Sequence, residues 1–197
     1  MNSPYCGKFR VTQQFKGSAH DGLDLVGIDS KEIHATIGGR IIYAGWENNA
    51  NHRQGFGQFV CILGTDGNYY YYGHMSEIRT VTGATVNCTD VIGIEGDTGY
   101  SFGSHCHYCI RPRFSAGCFL DVCSISGIPN ALGVYDDGFR PGDKPTNPPE
   151  PETPSTEPDT TPPDTPTTDP QPEPIGYGRI VINDKEYDMK LFEPNDE

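Results

Sequence analysis

No stretch of this chain stays apolar over the roughly 18 residues that suggest a membrane-spanning helix, so no helical span is expected. Basic residues are also few. Lys and Arg number 14 against 27 Asp and Glu, for a formal net charge of −13, and nothing in their arrangement resembles a basic face for nucleic acid. The segment Met1-Asn2-Ser3-Pro4-Tyr5-Cys6 lacks the basic and apolar regions of a signal peptide. The expectation is therefore a chain made in the cytoplasm that leaves, if it leaves, by another route. A long helical period is missing from the first 114 residues, where short strand-like runs alternate with glycine-rich turns.

Cysteine is not scarce, but its number, seven, is odd. Without a signal peptide, an odd count argues against a disulfide framework and for reduced thiols. Four of the seven fall as Cys106-x2-Cys109 and Cys118-x4-Cys123, which invites a rival reading as a structural zinc site. In a strand Cys106 faces away from His105 and His107, with Cys109 on the other side. Four-way convergence is then awkward, and buried or half-buried thiols are the preferred reading.

The charge is unevenly spread. Residues 1–144 carry 11 basic and 14 acidic side chains, nearly balanced, whereas residues 145–174 carry 7 acidic and no basic ones. Twelve of the 17 prolines also lie between Lys144 and Pro174, among Thr, Glu and Asp. Such a segment cannot bury a core and is expected to be an extended, disordered spacer, up to roughly 90 Å long in the polyproline form. The domain division expected is 1–143 (core 9–114, capping excursion 115–143), linker 144–174 and tail 175–197. Within the tail, residues 178–192 alternate on both sides of Asn183-Asp184 and predict a short β-hairpin. Because a lone hairpin is marginal in water, it is expected to pair with another chain or partner.

Along the first 114 residues the pattern predicts an all-β, antiparallel, sandwich-like domain. Phe9–Phe15 opens it as a strand. Ile33–Ile37 and Arg40–Gly45 read as two strands around the turn Gly38-Gly39, Gln58–Leu63 as an apolar strand, and Asn68–His74 as its return. Alternation puts Tyr70, Tyr72 and His74 on one face of that return strand, where the tyrosines line a groove or fill a half-buried strand.

The residues that carry chemistry are few. His105 and His107 share a strand face, and two imidazoles on one face can share a metal and its water. Upstream, His20 and Asp24 flank Asp21-Gly22-Leu23, where Gly22 permits a bend, and Leu23 and Leu25 anchor the segment. His74 supplies a fifth polar group. Singly, a histidine in a strand is more often a satisfied polar residue than a ligand, and Asp24 alone reads as a turn carboxylate. Together, in this order, they are hard to attribute to structural accident. His34 and His52 are left out, and His52, in a polar loop, is expected to meet only water.

The set His20-x3-Asp24, Tyr72-Gly73-His74-Met75-Ser76, Gly93-x2-Gly96-x-Thr98-Gly99 and His105-x-His107 resembles the peptidase M23 family, the lysostaphin or LytM type of zinc endopeptidase that cuts bacterial peptidoglycan. The likeness runs from about Phe9 to Arg113, with Cys106 and Cys109 replacing residues that are apolar in the family. It implies one Zn²⁺ held by His20, Asp24 and His107, with His74 and His105 as general base and oxyanion donors. Choosing His107 over His105 as the ligand rests on the resemblance, since spacing treats them alike. The implied substrate is a peptidoglycan cross-bridge or stem peptide. The Gly127-Ile128-Pro129-Asn130 run is similar to segments that follow the peptidase in phage-type lysins. The implied setting is a phage or prophage lytic enzyme acting at the cell wall after release or within a virion, with the terminal hairpin docking on a particle or partner chain. The alternatives are a non-catalytic wall-binding module and a virion structural component.

Overall fold

Short runs of β-branched and aromatic residues between glycines favour pleated strands over helix, and the computed structural model of the chain is built almost wholly of them. It describes residues 2–136, 176–182 and 185–191. In chain order the elements are β1 (Lys8–Gln13), β2 (Gly22–Gly27), β3 (Glu32–His34), β4 (Gly39–Trp46), β5 (Gln58–Gly64), β6 (Tyr69–Tyr72), β7 (Glu77–Ile78), β8 (Thr85–Val86), β9 (Val91–Ile94), β10 (Cys106–Arg111), a short helix α1 (Val122–Ser126), β11 (Gly133–Asp136), β12 (Gly176–Ile182) and β13 (Lys185–Leu191). The strands up to β11 belong to one unit, and β12 and β13 to a second. The latter two pair antiparallel from Gly176↔Leu191 to Ile182↔Lys185, as the hairpin expectation has it. The expected linker, 144–174, and the Asn183-Asp184 turn lie outside the described residues.

In the first unit an eight-stranded antiparallel sheet runs in the order β11-β1-β2-β10-β6-β5-β4-β8, and a three-stranded sheet in the order β3-β9-β7. Alternation gives each strand of the large sheet two kinds of face. In β10, Cys106, Tyr108 and Ile110 enter the main core with Leu23, Leu25, Val60, Ile62, Tyr70 and Tyr72. His107, Cys109 and Arg111 point the other way, towards a smaller cluster of Phe59, Cys61, Tyr71 and Cys109, with Tyr43, Phe56 and Tyr69 against it. In the main core the hydroxyl groups of Tyr72 and Tyr108 both meet the Thr36 hydroxyl, at 2.7 and 2.9 Å, so two large rings are buried without stranding a polar atom.

Three local expectations are corrected. Ile33–Ile37 and Arg40–Gly45 do not form a hairpin, because β3 pairs with β9 in the small sheet while β4 pairs with β5 and β8 in the large one. His74 does not share a face with Tyr70 and Tyr72: β6 ends at Tyr72, and His74 takes a left-handed φ of 62°, which breaks the alternation. The tyrosines are buried and line no groove. His52 does not meet only water, since its ring stacks on Trp46 with centroids 3.6 Å apart and planes 5° from parallel.

The segment after Arg111 is tied to the sheet. Asp121 caps α1 by accepting from the Cys123 and Ser124 amides, and Gly127 ends it at a φ of 71°. β11 then pairs with β1 as an edge strand. Among the described residues no disulfide forms. Cys61, Cys106 and Cys109 are buried thiols, and Cys88, Cys118 and Cys123 are half-buried ones. The four cysteines of the rival zinc reading are not gathered in either donor cluster found among the described residues.

Candidate metal centre and active site

All five polar residues singled out in the sequence line one cleft of about 770 Å³, whose wall also includes Phe56, Tyr100 and Phe102. Strand register does the first part of the assembly. β10 pairs with β2 so that His107 stands directly opposite Asp24, with Leu23 and Leu25 opposite Tyr108 and Cys106 on the core face. A one-residue slip would bury both polar groups and expose the core side chains. Gly22, opposite Cys109, is required by space. A Cβ there would lie 2.6 Å from the Tyr108 carbonyl oxygen and 2.8 Å from Nε2 of His107.

His20 arrives from outside the strand, on a short 3₁₀ turn over Gly17–Ala19. Its Nδ1–H donates to the carbonyl of Gln14 at 2.8 Å, and its Nε2 lies 3.1 Å from Oδ1 of Asp24. His107 is arranged in mirror fashion, with Nδ1 2.9 Å from the same Oδ1 and Nε2 3.2 Å from Oδ1 of Asp21. Because a carbonyl oxygen only accepts, Nδ1 of His20 carries the proton and its Nε2 turns a lone pair towards Asp24. A carboxylate facing an imidazole lone pair is reconciled only by a proton or a cation between them. Donor atoms of His20, Asp24 and His107 lie within 4.8 Å of one another. Two imidazole nitrogens and a carboxylate oxygen form a donor set that zinc accepts, so the residues present fit the ion the sequence implies.

The electrostatics are consistent with such a centre. Burial by itself raises the Asp24 carboxyl, but hydrogen bonds from His107 and His20 and the nearby His105 hold it well below the usual range. Burial likewise works against charge on His107, yet its bonds to Asp21 and Asp24 hold the ring well above the ordinary histidine value. Asp21 is kept far below the usual range by His107 and by Arg111, again against burial.

His74 and His105 are neighbours on the cleft wall, ring centroids 4.6 Å apart. Nδ1–H of His74 donates to the Thr98 carbonyl at 2.7 Å. The Thr98 hydroxyl donates to Met75 O and accepts from the Gln58 amide, which gives Thr98 a physical task as the anchor of His74. Burial, then the neighbouring His105, pushes the pKa of His74 down to about 4. His105 sits at the mouth of β10, bridged to Gly96. Its Nδ1 is 2.7 Å from the Gly103 carbonyl and its Nε2 3.6 Å from Oδ1 of Asp24.

Sequence reading missed three contributors. Arg111 reaches Oδ2 of Asp21 at 2.8 Å, and Asp21 itself had been passed over as spacer between His20 and Asp24. The parity of 107, 109 and 111 on one strand face, with an acidic residue beside His20, was the available signal. Glu95 is the third. Its side chain is fully buried and accepts from Tyr5 Oη, the Gly27 amide, Lys31 Nζ and Ser104 Oγ at 2.6 to 2.8 Å, which pins the residue just before His105. No sequence spacing points to it.

A wholly antiparallel fold that gathers donors for one metal beside two further imidazoles fits the class of metal-dependent hydrolases. Residues 18–116 match the model of peptidase family M23, half of the sequence, and the chain belongs to that family. It is 31% identical over 93 residues to lysostaphin of Staphylococcus simulans, covering 47% of this chain and 18% of the relative. The same identity over 93 residues is found with the glycyl-glycine endopeptidase ALE-1 of Staphylococcus capitis, covering 47% of this chain and 24% of that protein. Among solved structures, the catalytic domain of a mutant of the prophage-encoded M23 protein EnpA from Enterococcus faecalis superposes with a TM-score of 0.51 at 26% identity. That match covers 61% of this chain and 94% of the other. The chain thus spans about a fifth of the length of the curated relatives it matches. No helix among the described residues is long and apolar enough to cross a membrane.

Proposed function

We propose that the chain is a zinc endopeptidase that hydrolyses peptide bonds in bacterial peptidoglycan, in cross-bridges or stem peptides. The observation that carries this reading is the meeting of Nε2 of His20 and Nδ1 of His107 on one carboxylate oxygen of Asp24, on the wall of a cleft of about 770 Å³. His20, Asp24 and His107 hold the ion. Bound there, the ion would activate a water molecule and act as a Lewis acid for the scissile carbonyl. His74, its Nδ1 committed to Thr98, offers Nε2 to the cleft and stays neutral near pH 7, ready to take a proton. His105, fixed through Nδ1 to Gly103 and beside Asp24, is the partner imidazole. Between them the pair supplies the general base and the donor to the tetrahedral oxyanion.

Phe56, Tyr100 and Phe102 on the cleft wall give the substrate an apolar bed. The similarity to a glycyl-glycine endopeptidase supports a peptide bond as the target, and the prophage-encoded neighbour supports a phage or prophage setting. The test is mass spectrometry of fragments released from several purified cell walls, with and without a chelator. New peptide termini that vanish with the chelator are expected. Tight wall binding with no new termini overturns the proposal in favour of a binding module.

A further inference from the structure

The imidazole of His107 has two nitrogens and two carboxylates to choose between, with Asp24 at 2.9 Å from Nδ1 and Asp21 at 3.2 Å from Nε2. Only one tautomer of the neutral ring turns a lone pair towards Asp24 and His20. We propose that Asp21 and Arg111 form a positioning pair that selects this tautomer, so that His107 presents Nδ1 to the metal. The inference rests on the zinc-site reading above and adds to it two residues that touch neither ion nor substrate.

The construction is built to hold one orientation. Asp21 spends Oδ1 on His107 and Oδ2 on Nη2 of Arg111, 2.8 Å away. Arg111 has little freedom of its own. It is buried, with Nη1 donating to the Ser115 carbonyl at 3.1 Å. The guanidinium carbon lies 4.6 Å from the centroid of the Tyr71 ring and 5.2 Å from that of Phe56, within the range of attraction between a cation and an aromatic face. Phe56 also packs on His107, with centroids 5.5 Å apart. A guanidinium cannot accept a hydrogen bond, so it turns Asp21 into an obligate acceptor on both sides, and the proton on His107 must sit on Nε2. For His20 the same office is performed by the Gln14 carbonyl. A carboxylate behind a metal-binding imidazole raises the ring's basicity as well as fixing it.

The substitution Asp21→Asn is the informative one. Arg111 will claim the amide oxygen, the amide NH₂ will face Nε2 of His107, and the ring will be driven to carry its proton on Nδ1, where the ion should be. Zinc affinity, read by competition with a chromogenic chelator and therefore independent of turnover, should fall about 10- to 100-fold. The thermal melt of the chelator-treated variant should stay close to that of the parent. Unchanged affinity in a folded Asp21→Asn variant overturns the proposal. A second readout does not need the variant to fold. In the zinc-loaded parent the Nε2 proton of His107 should resonate at low field, as a proton shared with a carboxylate does, and absence of that resonance also overturns the proposal. If the parent binds no zinc, or His20→Ala binds it as well as the parent, the zinc-site reading fails instead.

Discussion

Glu95 offers the sharpest test of how this scaffold is held. Both carboxylate oxygens are used twice: Oε1 by Lys31 and Ser104, Oε2 by Tyr5 and Gly27. Four donors therefore point at one buried acceptor. A hydrogen bond to a charged group contributes about 1.5–3 kcal/mol, but the four do not count equally. The Lys31 side chain is 51% exposed and water replaces its partner, so that contact is worth about 0–1 kcal/mol. The Tyr5 hydroxyl keeps the Leu25 carbonyl at 3.1 Å as an alternative acceptor. Ser104 is exposed and water can likewise replace its partner, so what Glu95→Leu strands is the buried Gly27 amide, and a loss of about 2–3 kcal/mol is expected. Glu95→Gln keeps the shape. Its amide nitrogen meets donors where an oxygen stood, yet Ser104 can turn and accept, so the loss should be nearer 1–2 kcal/mol. Urea unfolding followed by tyrosine and tryptophan fluorescence reads both, with m unchanged if the effect is on the native state. Turnover of both variants should fall as well, because Ser104 precedes His105. A Glu95→Leu protein within about 1 kcal/mol of the parent refutes the reasoning.

Replacing His20, Asp24 or His107 with alanine should abolish zinc binding and activity together, whereas His105→Ala should lose activity and keep the metal. Metal content after dialysis, set beside wall lysis, separates the two classes, and an emptied site in His105→Ala would reverse the assignment within that pair. Gly22→Ala inserts a methyl group against the Tyr108 carbonyl and Nε2 of His107. It should cost about 1–3 kcal/mol by overpacking and weaken zinc binding about tenfold, checked by urea melts and chelator competition. His74 has a pKa of about 4 in the fold against 6.5 ordinarily. Between those values the unfolded chain takes up a proton that the folded chain refuses, so acidification from pH 6.5 to 4 weakens the fold by up to about 3 kcal/mol. The pH dependence of stability in chelator should flatten over that window in His74→Gln, and an unchanged slope would contradict the assignment.

The class of fold was legible because it depends on period-two alternation and glycine punctuation, which are local. Strands β1, β5 and β10 could be read directly, and the parity that sends His107 one way and Cys106 the other needed only the pleat. Pairing partners were harder. Gly38-Gly39 is a reasonable hairpin turn by itself, and nothing nearby announces that Ile33 will instead find Gly93 sixty residues on. His74 was misplaced because its left-handed backbone depends on contacts made by Phe56 and Thr98, which lie far from it in sequence. The ligand candidates were visible as residue types in order. Asp21, Arg111 and Glu95 were not, since their partners lie 86, 90 and up to 90 positions away, and no short-range rule reaches that far.

The placement of β10 between β2 and β6 has a consequence for biosynthesis. Asp24 and His107 are 83 positions apart, and the strand that joins them is the last of the central ones to leave the ribosome. Until it is complete, β2 and β6 each present an open edge, and a prematurely terminated product would be inert but adhesive. Translation therefore acts as a safety catch: a fragment that ends before residue 107 lacks one donor of the proposed centre, and competence comes only once that residue has been added and threaded into the middle of the sheet.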